Sequence, residues 1–150
     1  MSDTERFLPH ATVATVLEQD GKFLLVEELS QGHRVLNQPA GHLEPNESLI
    51  EAAAREVLEE TGWHAEISAY LGVTIINAAN GICYLRHSFV GIPLQFDAPY
   101  QLDSSIIATR WMSRDDVQNA DQPLRHPVVL DVIDQYRGGS AVTLDLVRQL

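Results

Sequence analysis

The sequence predicts an α/β (α+β) fold in which a mixed β-sheet is covered by helices. Three observations carry this. Apolar runs of strand length separated by turn signals fill the first part of the chain; one long segment rich in Ala, Glu and Leu follows; and further strand-like runs give way to two shorter helical segments. The 150 residues are enough for one domain with a real core, so a single domain over 1–150 is expected.

Residues 11–17 and 22–28 read as strands, with Glu18-Gln19-Asp20-Gly21 as the hairpin turn between them. A polar loop containing Gln31-Gly32-His33-Arg34 comes next, and a short extended piece runs into Gln38-Pro39-Ala40-Gly41. The clearest helix is expected over 48–61, capped by Asn46 and ended by Gly62. Strands are expected over 69–77 and 82–93, joined at Asn80-Gly81, and again over 106–112. Ser113 stands three residues before Asp116, a capping-box pattern that opens a short helix. A last helix starts at Pro127, turns Val128, Val129, Val132, Ile133 and Tyr136 inward, and stops at Gly138-Gly139.

The formal net charge of -11 argues against binding a nucleic-acid backbone, which needs a basic face. Nowhere do eighteen apolar residues run together, and no signal-peptide pattern opens the chain, so a cytoplasmic protein without membrane contact is expected. Cys83 is the one cysteine, which rules out an internal disulfide. Between Glu44 and Glu60, six glutamates stand against the single Arg55. Like charge crowded on a helix is costly unless something positive neutralises it, and a bound metal would.

At about 100° per residue, Glu56, Glu59 and Glu60 share one arc of the main helix, with Ile50, Ala54, Val57 and Leu58 roughly opposite. Ala52 and Ala53, in the turn before, are expected to leave room for a bulky anion and its metals. Carboxylates at this spacing suit magnesium or manganese, which prefer oxygen ligands and bridge to phosphate. Such metals neutralise phosphate oxygens and activate a water for in-line attack on phosphorus.

Gly41, Glu47, Arg55, Glu56, Glu59, Glu60 and Gly62 stand in the order G-x5-E-x7-R-E-U-x-E-E-x-G-U, where U is bulky and apolar. With each fixed residue at a background of about 7%, a chance match at one start is on the order of 10^-8. By this pattern the chain resembles the Nudix hydrolase family, although Trp63 occupies a final position that is usually aliphatic. The resemblance implies an α/β/α sandwich with the box as a loop–helix–loop. It further implies metal ligands at Glu56, Glu59, Glu60 and the Gly41 carbonyl, an Arg55 that holds box carboxylates, and a Glu47 that braces the loop. Arg55, Glu56, Glu59 and Glu60 are the catalytic candidates.

Outside the box, stretches such as Asn37-Gln38-Pro39-Ala40-Gly41-His42-Leu43-Glu44, Val26-Glu27-Glu28 and Arg110-Trp111 resemble a bacterial phosphatase group within the family. That similarity implies a small-molecule diphosphate or nucleotide substrate: nucleoside di- and triphosphates or hydroxymethylpyrimidine diphosphate. Arg86 is the first candidate for phosphate contact, with Gln38 and Trp111 as further substrate-binding candidates. Tyr84 and His87 are candidate stacking residues, and Asp103 a candidate additional acid. Leu36 stands where that group has an aromatic residue. A monomer or homodimer is expected. A MutT-like house-cleaning pyrophosphohydrolase and a nucleotide-sensing domain are the alternatives; sensing domains commonly erode the box glutamates, which are intact here.

Overall fold

A computed structural model describes residues 5–98 and 100–150. Its elements are β1 His10–Gln19, β2 Lys22–Ser30, β3 His33–Asn37, β4 Ala40–His42, α1 Leu49–Thr61, β5 Trp63–Asn77, β6 Cys83–Phe96, β7 Ile106–Ser113, α2 Arg114–Gln118 and α3 Val128–Arg137. β1 lies at the junction. It runs parallel to β6 from His10 opposite Tyr84 to Leu17 opposite Gly91, while its other edge pairs antiparallel with β4. Its far end turns into β2, which in turn carries β3 and β7; β5 lines the outer edge of β6.

The expected mixed sheet under helices is therefore present, with a helix layer on each side. Successive side chains of a strand point to opposite faces, and β1 uses both. Val13 joins Phe89, Ile67, Ala52 and Ala53 beneath α1, whereas Val16 joins Leu25, Leu36 and Val90 beneath α3. Covering both faces is why residues 12–17 are all buried and show no polar alternation.

Several expected boundaries move, each for a local reason. Asn46 is not the cap of α1: it sits in the preceding turn at φ 67, and Ser48 caps the helix in a reciprocal box with Glu51. Gln31-Gly32 alone makes the β2–β3 turn, at φ 50 and 80, so His33 and Arg34 belong to a strand and not to a loop. β5 starts at Trp63, six residues before the expected start at 69, because His64, Glu66 and Ser68 point to solvent between more buried Trp63, Ala65 and Ile67. The Ser113–Asp116 capping box forms as expected and opens α2.

Close packing has a specific requirement at the β1–β6 seam. A Cβ on Gly91 would lie 2.8 Å from Thr15 Cγ2, in the interior between β1 and α1's face of the sheet. Gly91→Ala is expected to lose about 1–3 kcal/mol in urea unfolding, with part of the loss recovered when Thr15→Ala is added to make room.

Candidate functional site

The packing face of α1 differs from the one expected. Its buried residues are Ala52, Ala53, Val57, Glu60 and Thr61, while Ile50, Ala54 and Leu58 are only half-buried. Ala52 and Ala53 thus leave no room for an anion; they lie against Val13, Ile67 and Phe89, and their small size brings the helix down onto the sheet. Rotated this way, the helix carries Glu60 into the interior, 5% exposed. There its carboxylate accepts a 2.7 Å hydrogen bond from the Ala40 backbone N–H.

Glu56 extends over β4, where a Cβ on Gly41 would collide with its carboxylate. Only glycine lets the two approach. Glu59 is more exposed and is drawn to Arg55 at 3.1 Å. Arg55 holds the whole acidic segment: it grips both oxygens of Glu47 at 2.9 and 2.7 Å, donates to Glu56 at 2.8 Å, and reaches the carbonyl of His42 at 3.1 Å. The loop before α1 is thereby fastened to the helix by charge-assisted bonds.

Glu56 and Glu60 line a cleft of about 690 Å³ that also takes in Glu28, Tyr84, Arg86 and Asp103. Arg86 is buried, and its hydrogen bonds go to the neutral oxygens of Asn37 at 3.0 Å, Gln38 at 2.9 Å and Ser88 at 3.4 Å. Burial, with the positive charge of Arg125 adding, pushes its pKa down to about 10. Gln38 is absent from the cleft lining and only 1% exposed; its amide donates to the Val129 carbonyl and its oxygen accepts from Arg86, so it orients the arginine and presents no group to a ligand.

Trp111 also lies away from the cleft. It packs edge-on against Trp63 in the cluster of Leu17, Leu24 and Val57. His87 is bonded to Tyr70 Oη at 2.8 Å and does not line the cleft, whereas Tyr84 does. Asp103 is brought to the glutamates because its backbone N–H donates to the Glu59 carbonyl at 2.9 Å, docking its loop on the end of α1.

Glu28, Asn37, His42 and Arg125 line the cleft as well and were not among the candidates. Glu28 is 7% exposed and accepts from Asn37 at 3.1 Å and Arg125 at 2.8 Å. An acid ending the apolar run of β2 was the available signal, since the strand's pattern buries that position and a buried carboxylate needs partners.

Oxygen donors dominate the acidic end of the cleft, which is the set that hard divalent cations prefer. Among the described residues no three such side chains form a ready-made cluster, because Glu59 is held at the rim by Arg55. Both inner acids hold their protons more tightly than an exposed carboxyl does. Burial pushes Glu60 up to about 9; the Ala40 N–H opposes this, and repulsion from Glu28, Glu56 and Asp103 adds to it. Burial also raises Glu56, against the opposing pull of Arg55.

Between the ordinary carboxyl range and about 9, the folded state holds a proton on Glu60 that the unfolded chain has released. The folded state then binds more protons, and stability falls as pH rises through this window. In metal-free protein the melting temperature is expected to drop from pH 6 to pH 9, and Glu60→Gln to flatten that slope; an equal slope in the variant would place the titration elsewhere.

The NUDIX domain family model matches residues 7–132. The chain is 42% identical to Phosphatase NudJ of Escherichia coli strain K12 over 142 residues, covering 94% of this chain and 92% of that protein. A solved structure of a NUDIX hydrolase from Nitrosomonas europaea superposes with a TM-score of 0.92 at 43% identity, over 95% of this chain and 98% of that one. A MutT NUDIX hydrolase from Burkholderia pseudomallei, 24% identical, shares the fold at a TM-score of 0.73, over 86% of this chain and 98% of that one. A family match over most of the chain, a relative this similar along nearly its full length, and a box whose arginine and glutamates bond as that pattern requires together assign this chain to the Nudix hydrolase family.

Proposed function

We propose that this protein is a magnesium- or manganese-dependent hydrolase of small-molecule diphosphates, with nucleoside di- and triphosphates and hydroxymethylpyrimidine diphosphate as its substrate class. The observation that carries the proposal is the placement of the buried Glu60 and the half-buried, Arg55-held Glu56 in one cleft with the buried Arg86. Similarity to Phosphatase NudJ supports the substrate class.

Glu56, Glu59, Glu60 and the Gly41 carbonyl would hold the metal. When bound, it neutralises phosphate oxygens and lowers the pKa of the attacking water. Arg55 keeps Glu56 and Glu59 oriented while Glu47 anchors Arg55 in turn. Arg86, held by Asn37 and Gln38, offers its remaining N–H donors to a phosphate oxygen. The water oxygen bonds to phosphorus as the bridging P–O bond breaks on the opposite side, so no covalent enzyme intermediate is formed. Glu28 and Asp103 are acids outside the helix that face the same space and can take up the released proton.

Purified protein with magnesium should turn over members of this class in a diphosphate panel with products identified by mass. Release of orthophosphate supports a phosphatase, and exclusive release of pyrophosphate with monophosphate indicates the MutT-like alternative. Loss of an outer-shell partner already costs about 10–100-fold at metal sites, so Glu60→Gln is expected to cost at least about a hundredfold in kcat. Full magnesium-dependent turnover in this variant would refute the metal assignment.

A further inference from the structure

Positive charge is scarce in this chain, yet two arginines face the same part of the cleft. Arg86 comes from β6 and Arg125 from the segment leading into α3. That segment is stitched to β3: Leu36 N–H donates to the Pro123 carbonyl at 3.0 Å, and Arg125 N–H donates to the Leu36 carbonyl at 2.8 Å. The Arg125 backbone is therefore fixed, while its side chain remains 45% exposed. One bond, to Glu28 at 2.8 Å, holds the guanidinium and leaves most of its five donors for a ligand.

Glu28 links this corner together. Its Oε1 takes both Arg125 and Asn37, and Asn37 Oδ1 takes Arg86, so a single chain of hydrogen bonds joins the two arginines. Arg125 bonds Glu28 directly, whereas Arg86 reaches it only through Asn37 and has no carboxylate of its own, so this corner holds two guanidiniums against one ion-paired carboxylate. Burial lowers Arg86, and the charge of Arg125 adds to that, as expected of two guanidiniums close together. Glu28 lines the same cleft as Glu56 and Glu60, which places the basic corner beside the acidic one.

We propose that Arg125 is a substrate-binding residue that, with Arg86, receives the terminal phosphate of the substrate and so selects diphosphates with a free end over those esterified at both ends. This rests on the reading of the cleft as a diphosphate site. With the phosphoryl group under attack beside Glu56 and Glu60, the next phosphate along the substrate falls to the arginines. A free terminal phosphate brings an extra negative charge and three oxygens suited to the planar fork of a guanidinium. A capped phosphate has one charge fewer, and its second substituent must occupy the space in front of Arg125.

The test compares wild type, Arg125→Gln and Arg125→Lys by calorimetric binding of a methylene-bridged nucleoside diphosphate and of its analogue capped by a sugar. Turnover of the hydrolysable pair is measured in parallel. Arg125→Gln is expected to weaken binding of the free-ended ligand by about ten- to hundredfold and to raise KM more than it lowers kcat. Binding of the capped ligand should change by less than about threefold, and Arg125→Lys should recover part of the loss. Equal losses for both ligands would reduce Arg125 to a brace for Glu28 and overturn the proposal, as would unchanged binding or a wild-type preference for the capped ligand. Because the binding arm needs no catalysis, a protein that binds with this preference but turns nothing over would sink the hydrolase reading and leave the role of Arg125 standing.

Discussion

The structure is organised around a carboxylate that has to be buried. Glu60 lies on the face by which α1 packs, so the helix cannot settle on the sheet without carrying a charge-bearing group inside. One backbone N–H, from Ala40, meets it there. The position of that N–H depends on β4 pairing with β1, and the approach of the helix depends on Ala52 and Ala53. Core packing and site assembly are thus a single requirement. Burying a carboxyl with a single donor raises its hold on a proton, and a cation bound there would take that proton's place.

Arg55 solves the opposite problem. Without it, Glu44, Glu47, Glu56 and Glu59 would repel one another between the loop and the later turns of the helix; with it, each lies within ion-pair distance of one guanidinium. The planar fork that grips Glu47 with two bonds still has donors for the helix acids. Lysine carries the same charge but lacks the planar fork that grips both oxygens of Glu47 at once.

The box was readable because its chemistry is local. Gly41 to Gly62 is one loop and one helix, so spacing alone identifies the residues that meet. Their orientation was less accessible: the helical wheel grouped Glu56, Glu59 and Glu60 and set Ile50, Ala54, Val57 and Leu58 to pack; Val57 is buried and Ile50 and Ala54 pack at the core's edge, but the helix is turned so that Ala52, Ala53 and Glu60 are buried too. The mixed sheet followed from apolar runs and turn residues, while β5 lost its first six residues to an alternation too polar to stand out. The basic end of the cleft was the least legible. Arg86 drew notice as a charge within a strand, but Glu28, Asn37 and Arg125 are far apart in the chain and meet only after β2, β3 and the segment before α3 come together. Gln38 and Trp111 were assigned to ligand contact from their place in matching stretches, a kind of similarity that does not separate a residue facing the cleft from one that braces it.

The parallel register of β1 with β6 also sets a timetable for folding. The box glutamates and Arg55 are drawn from residues 47–60, whereas the basic half joins residues 28 and 37 of one hairpin to residues 86 and 125 across long stretches of intervening chain. Closing long loops costs entropy before distant contacts can reward it, so local structure is favoured early and distant strand pairing late. Arg55 and its glutamates can therefore meet early, while the ability to discriminate among substrates belongs to the contacts of longest sequence separation.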